Sequence, residues 1–160
     1  MRISGTGHRS IYFPKSKKWL YDVTELLRTQ LELQKPEYII TGLALGWDTI
    51  LAEESVALDI PIHCYIPFED QGNNWNPFDK KIREELISRA SYVKVFQKEY
   101  SKDCFFKRDR GMVDDCDKLF SLWNPEINSG GTFFTIKYAE QNNIDYENFW
   151  LDPTQYLDKE

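Results

Sequence analysis

Tyr38-Ile39-Ile40-Thr41-Gly42-Leu43-Ala44-Leu45-Gly46-Trp47-Asp48 reads as a strand, a glycine-containing turn and the first turn of a helix. Tyr38–Ile40 is aromatic and β-branched and is bounded by Pro36 and Gly42, which suits a strand buried on both faces. From Trp47 or Asp48 to Asp59, Ile50, Leu51, Val56 and Leu58 give the following helix its apolar side. Upstream, Trp19, Leu20, Val23, Leu26, Leu27 and Leu31 recur at steps of three and four between Ser16 and Gln34, with Ser16 as N-cap and Pro36 as the stop. Helix, doubly buried strand and helix in succession belong to a parallel sheet, whose strands need crossover connections.

The same alternation extends in both directions. Met1–Thr6 is a first strand running into the turn Ser4-Gly5-Thr6-Gly7-His8-Arg9 and a loop through Pro14. Pro61 opens a third strand through Ile66, and Asn76-Pro77 places an N-cap before Pro at the first position of a helix to Ala90, with Phe78, Ile82, Leu86 and Ile87 facing the core. Ser91–Phe96 is a fourth strand, Asp103–Asp114 a helix, Lys118–Trp123 a fifth strand, and Gly131–Asn142 a last helix before a short strand or extended segment, Tyr146–Leu151. The expected fold is α/β: three layers, a doubly wound, mainly parallel sheet of five to six strands with helices on both faces. Residues 1–151 make one domain, and 152–160 a polar tail that packs little.

Composition narrows the function. Of 160 residues, 41% are hydrophobic, with ten Phe, nine Tyr and five Trp, so the chain can build a core. Twenty Lys and Arg against 26 Asp and Glu give a net charge of −6, which argues against nucleic acid as a partner, since sequence-independent binding needs cations to neutralise phosphates. Cys64, Cys104 and Cys116 are odd in number and lack a CxxC pair, so neither a disulfide framework nor a metal site is expected. The N-terminus does not read as a signal peptide and no apolar run approaches bilayer length, so the expected location is cytoplasmic, without a membrane partner.

Chemistry is expected at the strand ends, where ligands of open α/β sheets bind. Three glycine turns fall there: the one at Gly5–Arg9, the one at Gly42–Asp48, and Asn128-Ser129-Gly130-Gly131-Thr132. Glycines let backbone amides converge on phosphate, and a helix starting at the turn adds its free donors. Such connections also need glycines for geometry alone. The dinucleotide fingerprint fails, because Ser10 stands at the third glycine and the second strand ends in Thr41-Gly42 without an acidic ribose ligand. There is no G-x-x-x-x-G-K-[ST] either. No cofactor is therefore expected.

Thr6-Gly7-His8-Arg9, Gly42–Asp48, Arg108-Asp109-Arg110-Gly111-Met112-Val113-Asp114 and Gly130-Gly131-Thr132 together resemble the motif set of the SLOG superfamily. That Rossmann-like group is named for the DNA-processing protein DprA and the lonely-guy enzymes, and includes many bacterial and phage proteins. The resemblance implies a pocket for a nucleotide or nucleotide-derived phosphorylated ligand, in a sensor or binding module, and often a homodimer. Other members hydrolyse the N-glycosidic bond of nucleoside 5′-monophosphates or bind DNA, so the resemblance implies hydrolysis or transfer at that bond as the alternative for this chain and single-stranded DNA binding as the least favoured reading. In lonely-guy enzymes an Arg in R-K-x-x-M pairs with a Glu in P-G-G-x-G-T-x-x-E. Arg108 and Met112 match the first motif and Gly131-Thr132 the G-T of the second, but Thr135 stands in place of the Glu and no P-G-G precedes.

A hydrolase would then need another carboxylate to stabilise its oxocarbenium-like transition state. Asp48 with Arg108 is the candidate catalytic pair, Glu69 and Asp114 standing behind Asp48, which reads equally as a helix N-cap. The candidate ligand-binding residues are Thr6, Gly7, His8, Arg9, Gly42, Gly46, Trp47, Arg110, Ser129, Gly130, Gly131 and Thr132. Among these, His8 would donate to phosphate or act as a general acid, Arg108 and Arg110 would fork onto phosphate, and Trp47 or Trp75 would stack on a base. The alternatives are a loop-capping histidine, a solvated helix face bearing Lys102, Lys107, Arg108 and Arg110, and tryptophans spent in the core.

Overall fold

Ser16 accepts the Trp19 amide at 3.1 Å and so starts helix α1, Lys17–Gln34. Lys35 closes α1 in the left-handed region at φ 46°, returning its own amide to the Leu31 carbonyl. The computed structural model describes residues 1–157 and places α1 between β1 (Arg2–Gly7) and β2 (Tyr38–Thr41). There follow α2 (Trp47–Ala57), β3 (Ile62–Ile66), α3 (Pro77–Arg89), β4 (Tyr92–Val95), α4 (Cys104–Asp114), β5 (Lys118–Leu122), α5 (Gly130–Gln141) and β6 (Asp145–Asn148). Asn76 caps α3 by accepting the Asp79 amide at 2.9 Å, with Pro77 at the first helical position.

The six strands pair in the order β4-β3-β2-β1-β5-β6, every pair parallel. This is a three-layer, Rossmann-like α/β sheet. Alternation along each strand divides the core. Ile3, Ile39, Cys64 and Phe120 lie with Trp19, Val23, Leu27 and Leu31 of α1, Leu51 of α2 and Leu86 of α3. Ile40, Tyr65 and Leu119 lie on the other face with Met112 and Val113 of α4 and Ala139 of α5. The chain winds from β1 outward to β4 under three helices, then crosses back through α4 to β5 on the far side of β1. The connections after β1 and β5 thus leave to opposite faces. Their carboxyl ends, Gly7 beside Leu122, open a crevice at the switch point.

Three expectations change. Phe78 is 73% exposed, so of the apolar positions assigned to the core side of α3 only Leu86 is fully buried. The last strand is the polar Asp145–Asn148 rather than Tyr146–Leu151. Phe149 and Trp150 leave the sheet to pack with the first core, where Trp150 meets the Trp19 ring at 5.0 Å and the Leu151 carbonyl accepts Trp19 Nε1 at 2.8 Å. Within β6 only Tyr146 packs against the second core, and the aromatics that follow pack against α1 instead. Finally, Pro153–Tyr156 forms a 3-10 turn against α1 and Tyr156 donates its hydroxyl to Asp22 at 2.8 Å, so this part of the tail is packed; 158–160 lie outside the described residues. No described helix is long and apolar enough to cross a membrane.

Candidate functional site

A cleft of about 540 Å³ opens at the switch point, lined among others by Thr6, Gly7, His8, Arg9, Asp48, Arg108, Ser129, Gly130, Gly131 and Thr132. All three segments contribute because β1, α2 and α5 meet there. Gly7 is required by packing: a Cβ would fall within 2.4 Å of Trp47 Cβ. Gly46 is required twice, since it sits at φ +104° and a Cβ would come within 2.6 Å of the His8 carbonyl oxygen. That carbonyl accepts the Trp47 amide at 3.2 Å, locking the first turn to the start of α2.

Trp47 itself is fully buried, with Nε1 donating to the Phe120 carbonyl at 3.0 Å, so its ring is core and not part of the cleft wall. Gly42, Gly46 and Arg110 also lie off the wall, and Arg110 is exposed on the outside of α4. Trp75 is a half-buried loop residue beside Gly72, away from the cleft. Glu69 is exposed in the loop after β3. Asp114 accepts Tyr138 at the carboxyl end of α4, about 9 Å along the helix from Arg108 at about 1.5 Å per residue.

Under the cleft lies a buried ionic cluster. Arg108 is 4% exposed; its Nε donates to Asp109 at 2.8 Å, and its Nη1 to the Gly42 carbonyl at 2.8 Å and the Tyr65 carbonyl at 3.4 Å. A Cβ on residue 42 would stand 2.5 Å from Arg108 Nη1 and 2.9 Å from Asp48 Oδ2, so glycine there lets the guanidinium and the Asp48 carboxylate approach across the backbone. Asp48 belongs to the first turn of α2, whose N-cap is Gly46. Its Oδ2 accepts the Ala44 amide at 3.4 Å, while Oδ1 is buried with no partner. Burial pushes the Asp48 carboxyl up to about 6, against the opposing pull of Arg108. Asp109 is raised as well, burial outweighing the contact with Arg108. Arg108 is thus paired with Asp109, and Asp48 feels the same guanidinium at longer range.

The α5 end of the cleft has the opposite character. Ser129, the N-cap, makes no side-chain cap, and Gly130 holds φ +89° with nothing within 4 Å of where a Cβ would stand. The first amides of α5, which have no intrahelical partner and no side-chain cap, belong to residues lining the cleft, as do Arg9 and Lys102. His8 is 8% exposed, and its Nε2 accepts the Asn124 amide at 2.9 Å, pinning the loop that leads to α5. Burial lowers its pKa, so the ring is neutral at pH 7, with the remaining proton on Nδ1.

Sequence reasoning passed over Tyr12, Phe105, Phe106 and Asp109, all on the cleft wall. Tyr12 ends a 3-10 turn, Ser10–Tyr12, which carries no periodic signal. Asp109 was legible only as the neighbour of Arg108. It lies against Thr135, the position where lonely-guy enzymes carry their Glu. Among the described residues no cluster of His, Cys, Asp and Glu is arranged to hold a metal.

The YspA SLOG family model matches residues 6–156, which takes in every segment of this cleft. The chain belongs to the YspA SLOG family. Similar curated proteins of this SLOG chain include a UPF0398 protein from Bacillus pumilus, 34% identical over 98 residues, covering 60% of this chain and 50% of that protein. A uroporphyrinogen decarboxylase from Helicobacter pylori is 27% identical, covering 98% of this chain and 42% of that protein. The chain spans half or less of the length of these relatives. Among solved structures, DprA from Streptococcus pneumoniae superposes with a TM-score of 0.67 at 16% identity, over 99% of this chain and 56% of that one. DprA from Helicobacter pylori, described for its single-stranded DNA binding mode, gives 0.69 at 17% identity, over 99% and 72%. At these identities the likeness is one of fold.

Proposed function

We propose that the switch-point cleft binds a nucleotide or nucleotide-derived phosphorylated ligand, as a sensor or binding module. The observation that carries this reading is the uncapped start of α5, where exposed Ser129, Gly130 and Gly131 face the cleft with Arg9 and Lys102 on its rim. Phosphate would rest on the α5 amides, and the flat faces of Phe105, Phe106 and Tyr12 supply an apolar wall for a base. Arg108, spent on Asp109 and two carbonyls, holds the floor of the site instead of forking onto phosphate. The test is thermal shift and calorimetric titration with nucleoside mono- and diphosphates. Binding is expected for at least one of them, and its loss in Gly131→Glu, which sets a carboxylate among the donors; a Cβ at 131 meets only Asp109 Oδ2, at 3.8 Å, and a melting curve checks that the variant is folded. Unchanged binding in that variant removes the phosphate from α5.

The unpartnered Asp48 oxygen and its titration near neutrality favour one second reading, hydrolysis of the N-glycosidic bond of a nucleoside 5′-monophosphate. A carboxyl poised near the working pH can stabilise an oxocarbenium-like state or move a proton. Incubation with the four common ribonucleoside monophosphates and chromatography for free base decides it: release abolished by Asp48→Asn supports catalysis, and no release leaves the binding module.

A further inference from the structure

We infer that Asp48 is the sugar-reading residue of this cleft, accepting a hydrogen bond from the ribose hydroxyls of its ligand, so that the protein selects ribonucleotides over deoxyribonucleotides. The inference rests on the nucleotide reading above.

In dinucleotide-binding sheets an acidic side chain at the end of the second strand takes the ribose 2′-hydroxyl. Here β2 ends in Thr41-Gly42, with no acid at its tip. The turn that follows carries the chain only as far as α2 before Asp48 folds back over that tip: Thr41 Oγ1 donates to the Asp48 carbonyl at 2.9 Å, and Asp48 Oδ2 lies against the site of the missing Gly42 Cβ. An acid displaced by seven residues in sequence is thereby returned to the end of β2.

Its oxygens are not equivalent. Oδ2 is engaged by the Ala44 amide and faces Arg108, whereas Oδ1 has no donor although the residue is only 7% exposed and lines the cleft. An acceptor left unpaired in such a place carries a desolvation cost that a ligand donor would relieve. Ionised, the carboxylate accepts and cannot donate, so the partner must be a hydroxyl or N–H group.

Position selects between these. Asp109 Oδ2 is 3.8 Å from the Cβ position of Gly131, and Asp109 holds Arg108, whose Nη1 stands 2.5 Å from the Cβ position of Gly42 where Asp48 Oδ2 stands at 2.9 Å. Phosphate on α5 therefore leaves Asp48 beside the adjoining sugar, while the aromatic wall takes the base. Asp48 also closes the amino end of α2 with its own negative charge, so a second phosphate is repelled there and neutral hydroxyls fit.

The experiment is calorimetric titration at pH 7.5 of the wild-type protein with the 5′-monophosphates of adenosine, guanosine, cytidine and uridine, and with their 2′-deoxy and 2′,3′-dideoxy counterparts. For each base that binds, loss of both hydroxyls is expected to weaken affinity by about 30-fold, the worth of a hydrogen bond to a charged acceptor. Asp48→Asn, checked for folding by its melting curve, is expected to bring the ribo and dideoxy ligands close to parity, and Gly131→Glu to weaken all of them alike. Equal wild-type affinity for ribo and 2′-deoxy ligands overturns the selection of ribonucleotides, equal affinity for ribo and dideoxy ligands overturns the assignment to Asp48, and both leave the phosphate site standing. Binding of none of the panel overturns both.

Discussion

Asp48 and Arg108 show how a residue's neighbours reassign it. As sequence, Asp48 is an acid at a helix start and Arg108 a cation on a helix; folded, they form with Asp109 a buried group of two carboxyls and one guanidinium. The folded state holds the Asp48 proton up to about pH 6, whereas the unfolded chain releases it at the ordinary 3.8. A pKa raised by folding contributes stability that is complete below pH 4 and is lost as pH rises through 6. The difference of about 2 units corresponds to about 3 kcal/mol. Chemical denaturation at intervals from pH 4 to 7.5 is expected to show this decline in the wild type and a flatter curve in Asp48→Asn, which is the more stable protein at pH 7.5. Equal slopes would place the charge of Asp48 in a better-solvated setting. Removing the guanidinium has the opposite sign: Arg108→Ala leaves Asp109 without its ion pair and is expected to cost about 3–5 kcal/mol, so any loss of ligand response in that variant follows from loss of the floor.

At the scale of elements, the fit of α2 against the first turn positions the site. Trp47 fills the space that Gly7 leaves open and bonds to the β5 carbonyl at Phe120, tying α2 to the two strands that flank the crevice. A tryptophan used this way contributes to stability and not to base recognition. Trp47→Phe is expected to lower the melting temperature, through a smaller ring and a lost hydrogen bond, while nucleotide affinity stays within about twofold; a selective loss of affinity at unchanged stability would make the ring part of the site. The same element shows what the sequence could disclose. Helix α1, with its cap and apolar spacing, and the doubly buried strands were legible because local periodicity and burial agree there. The three glycine turns were legible as neighbours because strand direction brings them to one edge, although of the second turn only Ala44 and Asp48 reach the cleft wall. Tyr12, Phe105 and Asp109 were not, since their place in the cleft depends on how β1, α4 and α5 approach one another. For β6, an edge strand of polar residues carried a weaker pattern than the aromatics that follow it.

Across the whole molecule the charge of −6 meets a cleft whose cations are few. Among the described residues lining it, Arg108 is neutralised by Asp109, His8 is neutral, and Arg9 and Lys102 remain to face an incoming anion. A polyanion held along a surface needs a track of such groups, and its affinity falls steeply with salt because each neutralised phosphate releases counterions. Two cations support a slope of log affinity against log salt of about −1.4 at most, on the scale of about −0.7 per phosphate contact for single strands. The likeness of fold to a protein described for binding single-stranded DNA makes this the discriminating measurement. A fluorescent oligothymidylate titrated at several salt concentrations is expected to show no retention near physiological ionic strength, and a nucleotide affinity that changes only mildly over the same series. Tight oligonucleotide binding with a steep slope would mean that a strand follows a path outside the cleft, and the acidic surface would then have to be broken by a basic track that Arg9 and Lys102 alone do not make.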